Sequence, residues 1–83
     1  MNIIICGAGK TGAHAAEILS ASGADVTVID ENLTLLESLA DSLDVAILSG
    51  QPSAAKDLNS AGVADADVVI AVTEDDEVNL LSA

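Results

Sequence analysis

The chain opens on three consecutive isoleucines, Ile3 to Ile5, and short apolar runs of this kind return at intervals along it. A continuous apolar run of a few residues reads as a strand buried on both faces. Apolar positions at i, i+3, i+4 and i+7 read instead as a helix facing a core. On that basis strand one covers Asn2–Cys6. Helix one follows over about Lys10–Ser22, with Gly12, Ala15, Ala16 and Leu19 forming its inward face. His14 and Glu17 fall on the outer face, so His14 reads as a surface histidine rather than a catalytic one. Gly23 ends the helix as a C′ glycine. Ala24–Ile29 is a second strand ending at Asp30. Leu36, Leu39, Ala40 and Leu43 mark a second helix, with Thr34 and Glu37 as a capping box near its start.

Strand three is Val45–Leu48, and a short third helix runs from Ser53, its cap, through Ala61 to Gly62. Val68–Val72 is strand four. Thr73 and the acidic run Glu74–Glu77 begin a fourth helix carrying Val78, Leu80 and Leu81, since acids in a first helical turn suit the dipole. Strands alternating with helices give a parallel sheet with right-handed crossovers. The predicted fold is therefore α/β: a Rossmann-like, doubly wound, open three-layer sheet with strand order 3-2-1-4. The fourth helix is barely two turns long and leaves strand four as an apolar edge, a hazard that complete folds cover. Residues 1–83 are accordingly expected to be the N-terminal portion of a larger nucleotide-binding domain.

The joint between strand one and helix one carries the chemistry. Gly7-Ala8-Gly9-Lys10-Thr11-Gly12 has the G-x-G-x-x-G spacing in its proper context, after a strand and opening a helix. Gly7 serves the tight turn, Gly9 a close backbone approach to phosphate, and Gly12 the packing of helix on strand. Unpaired N–H groups of the first helical turn, with the dipole behind them, then face negative charge. Asp30, about 20 residues further on at the end of strand two, is the expected acceptor for an adenosine ribose. Glu31 beside it adds a second acid, and no Arg or Lys stands near to hold a 2′-phosphate, which favours NAD over NADP. Gly9-Lys10-Thr11 also resembles the end of a P-loop, but that motif needs a glycine where Ile4 stands.

Composition narrows the remaining choices. With 83 residues and no Phe, Tyr or Trp, the core must be built of Ile, Leu, Val and Ala, and stability is expected to be marginal. One cysteine, Cys6, rules out a disulfide framework. No apolar run approaches the roughly 20 residues of a membrane span, and none has the form of a signal peptide. A cytoplasmic location is the default. Fourteen acidic residues against Lys10 and Lys56 give a net charge of −12, which excludes binding to nucleic acid or to an anionic membrane through a basic patch. Half of the cationic side chains thus lie in the glycine loop, where Lys10 is placed to meet a diphosphate.

Met1 to Gly9, Val26-Thr27-Val28-Ile29-Asp30, Asp65-Ala66-Asp67, and Ala71-Val72-Thr73 with Asp76-Glu77-x-Asn79 together resemble the N-terminal, RCK or KTN, nucleotide-binding domain of the TrkA family. Members of that family are regulatory subunits of Trk potassium-uptake systems. The resemblance runs along all of the chain but covers only about the first two-thirds of the family's domain. It implies a non-enzymatic cytoplasmic protein, peripheral to the inner face of the membrane. Such a protein binds NAD(H), or ATP or ADP, and passes conformational change to a membrane-embedded potassium transporter. It also implies a homo-oligomer in the full-length protein, without direct membrane insertion. By the same resemblance Gly7, Ala8, Gly9, Lys10, Thr11 and Gly12 hold phosphates and Asp30 the ribose. Gly50 and Gln51 stand at the adenine side, where the family often has Gly-Asp. Thr73 either closes the crevice or caps helix four. The alternative is the cofactor half of an NAD-dependent, saccharopine-dehydrogenase-like oxidoreductase.

Overall fold

The computed structural model describes residues 1–51 and 65–72, and residues 78–82 as backbone. Its elements are β1 (Asn2–Cys6), α1 (Lys10–Ala21), β2 (Asp25–Asp30), α2 (Leu33–Ser42), β3 (Ala46–Ser49), β4 (Val68–Val72) and β5 (Val78–Ser82). They form one sheet in the order β3-β2-β1-β4-β5. The first four strands are parallel, with Ile3 opposite both Val26 and Val68, and Thr27 opposite Ala46. The α/β, doubly wound arrangement with order 3-2-1-4 is therefore the one that the alternation of elements predicts.

β1 lies at the centre and is buried from Ile3 through Cys6. Because strand side chains alternate, its residues divide between two cores. Ile3 and Ile5 join Val26, Val28 and Ile70 beneath Ala16 of α1 and Leu36 of α2. Ile4 and Cys6 face the other way, with Ile29, Val69 and Ala66. The first two crossover helices thus share one face of the sheet, as two successive right-handed crossovers in the same direction require. Ala16 and Gly12 are both buried, and their lack of bulk brings α1 close to the strands. At the other end of α1, Ala24 N–H donates to the Leu19 carbonyl and Gly23 N–H to that of Ser20, closing a Schellman motif around the positive φ of Gly23.

Five expectations need correction or fall outside the described residues. Val78–Ser82 is not helical: β5 runs antiparallel to β4, with Val72 opposite Val78 and Val68 opposite Ser82. A five-residue apolar segment fits either period, and pairing satisfies the backbone groups along the β4 edge, so tertiary context overrides the local acidic helix signal. The α2 cap is Asn32, whose side chain accepts from Leu35 N–H at 3.2 Å, and not the Thr34–Glu37 box. Thr34 already lies inside the helix, where its hydroxyl is two residues too late to cap. Ala40 is exposed, and it is Leu36, Leu39 and Leu43 that pack on the core there. The third helix, from Ser53 to Ala61, lies outside the described residues, and so does Thr73.

Candidate functional site

The carboxyl ends of β1 and β2 are joined by a small hydrogen-bond system that fixes the glycine loop. Gly7 N–H donates to the Ile29 carbonyl at 2.8 Å, extending the β1–β2 ladder by one step into the turn. Gly7 has φ +119°, in the region that L side chains avoid, and a Cβ there would lie 3.2 Å from the Val72 carbonyl oxygen. The turn also brings its own carbonyl under α1. A Cβ on Gly12 would collide with that Gly7 carbonyl, so the third glycine is required by backbone approaching backbone.

Asp30 is the hub. Its Oδ2 accepts from Ala8 N–H at 2.8 Å, and its Oδ1 from Asn32 N–H at 2.7 Å. Its own carbonyl accepts from Gly50 N–H at 3.0 Å, which draws the loop after β3 against the end of β2. One residue thereby ties three loops together. The structure brings Gly7 to Gly12, Asp30 and Gly50 together at the carboxyl ends of β1 and β2. Glu31 and Gln51 follow Asp30 and Gly50 in the chain and are exposed.

The helix N-terminus is left open. Gly9 is the N-cap, extended at φ −69° and ψ −171°, and no side chain caps the helix. Ala13 N–H is the first to find an intrahelical carbonyl, that of Gly9 at 2.8 Å. Among the described residues nothing accepts from the N–H groups of Gly9, Lys10, Thr11 and Gly12. No acid occupies the first turn of α1, in a chain of net charge −12. Beside Gly9 there is open space: a Cβ built there meets nothing within 4 Å. Orphan donors, a positive dipole end and room for close approach are what an anionic group needs, so the residues present fit a phosphate.

Lys10 is exposed and lines a concavity of about 330 Å³ with Ala8, Gly9, Leu35 and Ser38, on the α2 side of the loop. A larger groove of about 730 Å³ lies between α1 and α2, bordered by Lys10 and Thr11 of the loop and by His14, Glu17, Leu39 and Leu43. His14 there is exposed, one helical turn beyond Lys10, as its helical position implies. Cys6 lies buried under the loop, and burial pushes its thiol above the usual range. Among the described residues no cluster of His, Cys, Asp and Glu could hold a metal ion. No described helix is long and apolar enough to cross a membrane.

Two functional partners escape the sequence reading. Asn32 both caps α2 and gives its N–H to Asp30, and an Asn directly before the apolar Leu33 is a legible cap signal. The attachment of Ala8 to Asp30 has no local signal, since 22 residues separate them.

Comparison with known proteins identifies the family. The family model described as the TrkA-N domain matches residues 3–83. A Haemophilus influenzae protein named Trk system potassium uptake protein TrkA is 42% identical over 82 residues, covering 99% of this chain and 18% of the relative. An Archaeoglobus fulgidus homolog of TrkA is 45% identical over 82 residues, again 99% of this chain and 18% of the relative. A shorter homolog from Methanothermobacter thermautotrophicus is 39% identical over 82 residues, with 38% of its length covered. The chain spans less than two-fifths of the length of each of these relatives. With the family pattern matched almost from end to end, this chain belongs to the TrkA-N domain family.

Proposed function

We propose that residues 1–83 are the N-terminal portion of a Rossmann-type domain that binds NAD(H), within a regulatory subunit of a potassium-uptake system. The observation that carries this reading is the bond from Ala8 N–H to Asp30, which sets a carboxylate beside the open amides of Gly9 to Gly12. In this reading those amides and Lys10 take the diphosphate, and Asp30 accepts from the sugar hydroxyls. A carboxylate has about four lone-pair positions, so Asp30 retains acceptor capacity beyond Ala8 and Asn32. Glu31, Gly50 and Gln51 border the adenosine side, and Thr73, the residue after β4 in the sequence, is the remaining candidate.

Membership of the TrkA-N family supports nucleotide binding, and the relatives' names support a role in potassium uptake beside a membrane-embedded transporter. The subunit would sit at the cytoplasmic face of the membrane and assemble as a homo-oligomer. There a nucleotide acts as a signal only if two states of the assembly bind it with different affinity. A regulatory reading is also supported by the side chains near the loop. Cys6 is buried with its thiol pushed up, so it is not set to exchange protons with a bound dinucleotide.

Titration of the protein with NADH, NADPH, ADP and ATP tests the proposal. NADH is expected to bind at least about tenfold tighter than NADPH, because a 2′-phosphate would meet Asp30 and Glu31 with no cation to receive it. A preference for NADPH overturns the ribose assignment. Absence of binding by all four overturns the function.

A further inference from the structure

We infer that Asp30, beyond contacting the sugar, is the strut that holds the glycine loop in its phosphate-binding form. This rests on the nucleotide reading above and adds a second task for the same carboxylate. The loop divides its amides into two groups. Gly7 N–H and Ala8 N–H are both fastened to β2, to the Ile29 carbonyl and to Asp30 Oδ2, each at 2.8 Å. Gly9, Lys10, Thr11 and Gly12 keep theirs open. Ala8 is itself buried, 4% exposed, so its N–H faces the protein and is withdrawn from any ligand. Oδ1 is held in turn by Asn32 N–H at 2.7 Å, which fixes the rotation of the carboxylate so that Oδ2 points at the loop. Asn32 also caps α2. The position of Ala8, and hence the direction of the four open amides after it, is therefore set from the start of α2 through one side chain.

A sugar contact alone and a strut make opposite predictions for a ligand without a sugar. Inorganic pyrophosphate carries only the charged part of the dinucleotide. If Asp30 served the ribose alone, Asp30→Ala would remove a nearby negative charge and leave pyrophosphate binding unchanged or tighter. If Asp30 is the strut, the loop loses its anchor and pyrophosphate binds more weakly.

Calorimetric titration of the protein and of Asp30→Ala with pyrophosphate and with NADH reads the difference. The expected result is a loss of at least about tenfold for pyrophosphate, the size of one charge-assisted hydrogen bond. The loss for NADH should be larger, since sugar contact and loop anchor disappear together. Unchanged or tighter pyrophosphate binding in Asp30→Ala overturns the strut. An unaltered protein that binds neither probe refutes the nucleotide reading, and with it the ligand-facing part of this inference. Amide hydrogen exchange on the unaltered protein supplies a measurement that no folding defect can obscure. Ala8 N–H should exchange at least about tenfold more slowly than the N–H groups of Gly9, Lys10 and Thr11. Equal rates overturn the strut whatever the titrations give. In Asp30→Ala the Ala8 protection should vanish while Ile5 and Val28 keep theirs. Loss at all three sites instead would mark a general weakening of the sheet and overturn the specific role.

Discussion

The two ends of the parallel sheet are each held by an aspartate that accepts from backbone N–H groups, yet they are left in opposite states. At the amino end Asp67 Oδ2 accepts from Asn2 N–H at 2.7 Å, and Asp67 N–H donates to the Asn2 carbonyl at 2.8 Å. Asn2 adds a bond from Nδ2 to the Asp65 carbonyl, and Asp25 N–H donates to the Met1 carbonyl. Around Asn2, among the described residues, donor meets acceptor within the protein, and that part of the amino end is closed. At the carboxyl end Asp30 takes two N–H groups, and the next four along the loop have no acceptor among the described residues. The same residue type therefore finishes structure in one place and prepares a site in the other. What distinguishes them is the set of donors left over, because an unmet donor is stabilised only by something arriving from outside.

The sharpest way to break the open end is Gly12→Ala. Its methyl group would be driven into the Gly7 carbonyl, backbone on one side and helix on the other, with no flexible side chain to yield. Destabilisation of about 3 kcal/mol is expected, the upper range for forced overpacking. Thermal melting should show it as a fall in Tm of some 12 to 24 °C for a domain of this size. A Tm within about 3 °C of the unaltered protein would mean that α1 can lift from the turn at little cost. The close approach would then not define the open end.

The closed end answers to Asp67→Ala. Removing this carboxylate leaves Asn2 N–H without its acceptor, but the site is exposed and water can replace it, so about 1 kcal/mol of stability is expected to be lost. Affinity for NADH should stay within about twofold, since Asp67 lies at the far end of β4 from the loop. A larger change in affinity would show that the two ends are coupled along β1 and β4, and the contrast between them would lose its meaning.

Much of the open end is legible in the residues themselves. Three isoleucines, three spaced glycines and an acid after the second strand are local signals with local causes, and they place β1, α1, β2 and Asp30 correctly. The sheet order follows from the handedness of crossovers. What escapes is whatever depends on a distant partner. The 22-residue reach from Asp30 to Ala8 has no trace in either neighbourhood. Val78–Ser82 carries helix signals before it and pairs as a strand because β4 offers an edge. Asp65-Ala66-Asp67 reads only as a family marker until the fold sets Asp67 against Asn2, 65 residues away in the chain. The Asn32 cap is a different kind of miss: the signal stands directly before α2, and the stronger-looking Thr34–Glu37 pair obscures it.

The smallest expected effect is the most specific to the open end. Lys10 is exposed, is the first residue of α1 and stands beside the backbone of Ala8 and Gly9. Its contribution to a bound diphosphate is that of a mobile charge in water, so it must depend on ionic strength. Lys10→Ala should weaken NADH binding about fivefold near 10 mM salt, where the screening length is about 30 Å, and less than about twofold near 1 M, where it is about 3 Å. Asp67→Ala, measured alongside, should show no such dependence. The two titration series together separate long-range attraction from local packing. If the loss in Lys10→Ala persisted undiminished at 1 M salt, Lys10 would be holding the loop's shape rather than drawing in an anion. The open end would then be built, like the closed one, on contacts internal to the protein.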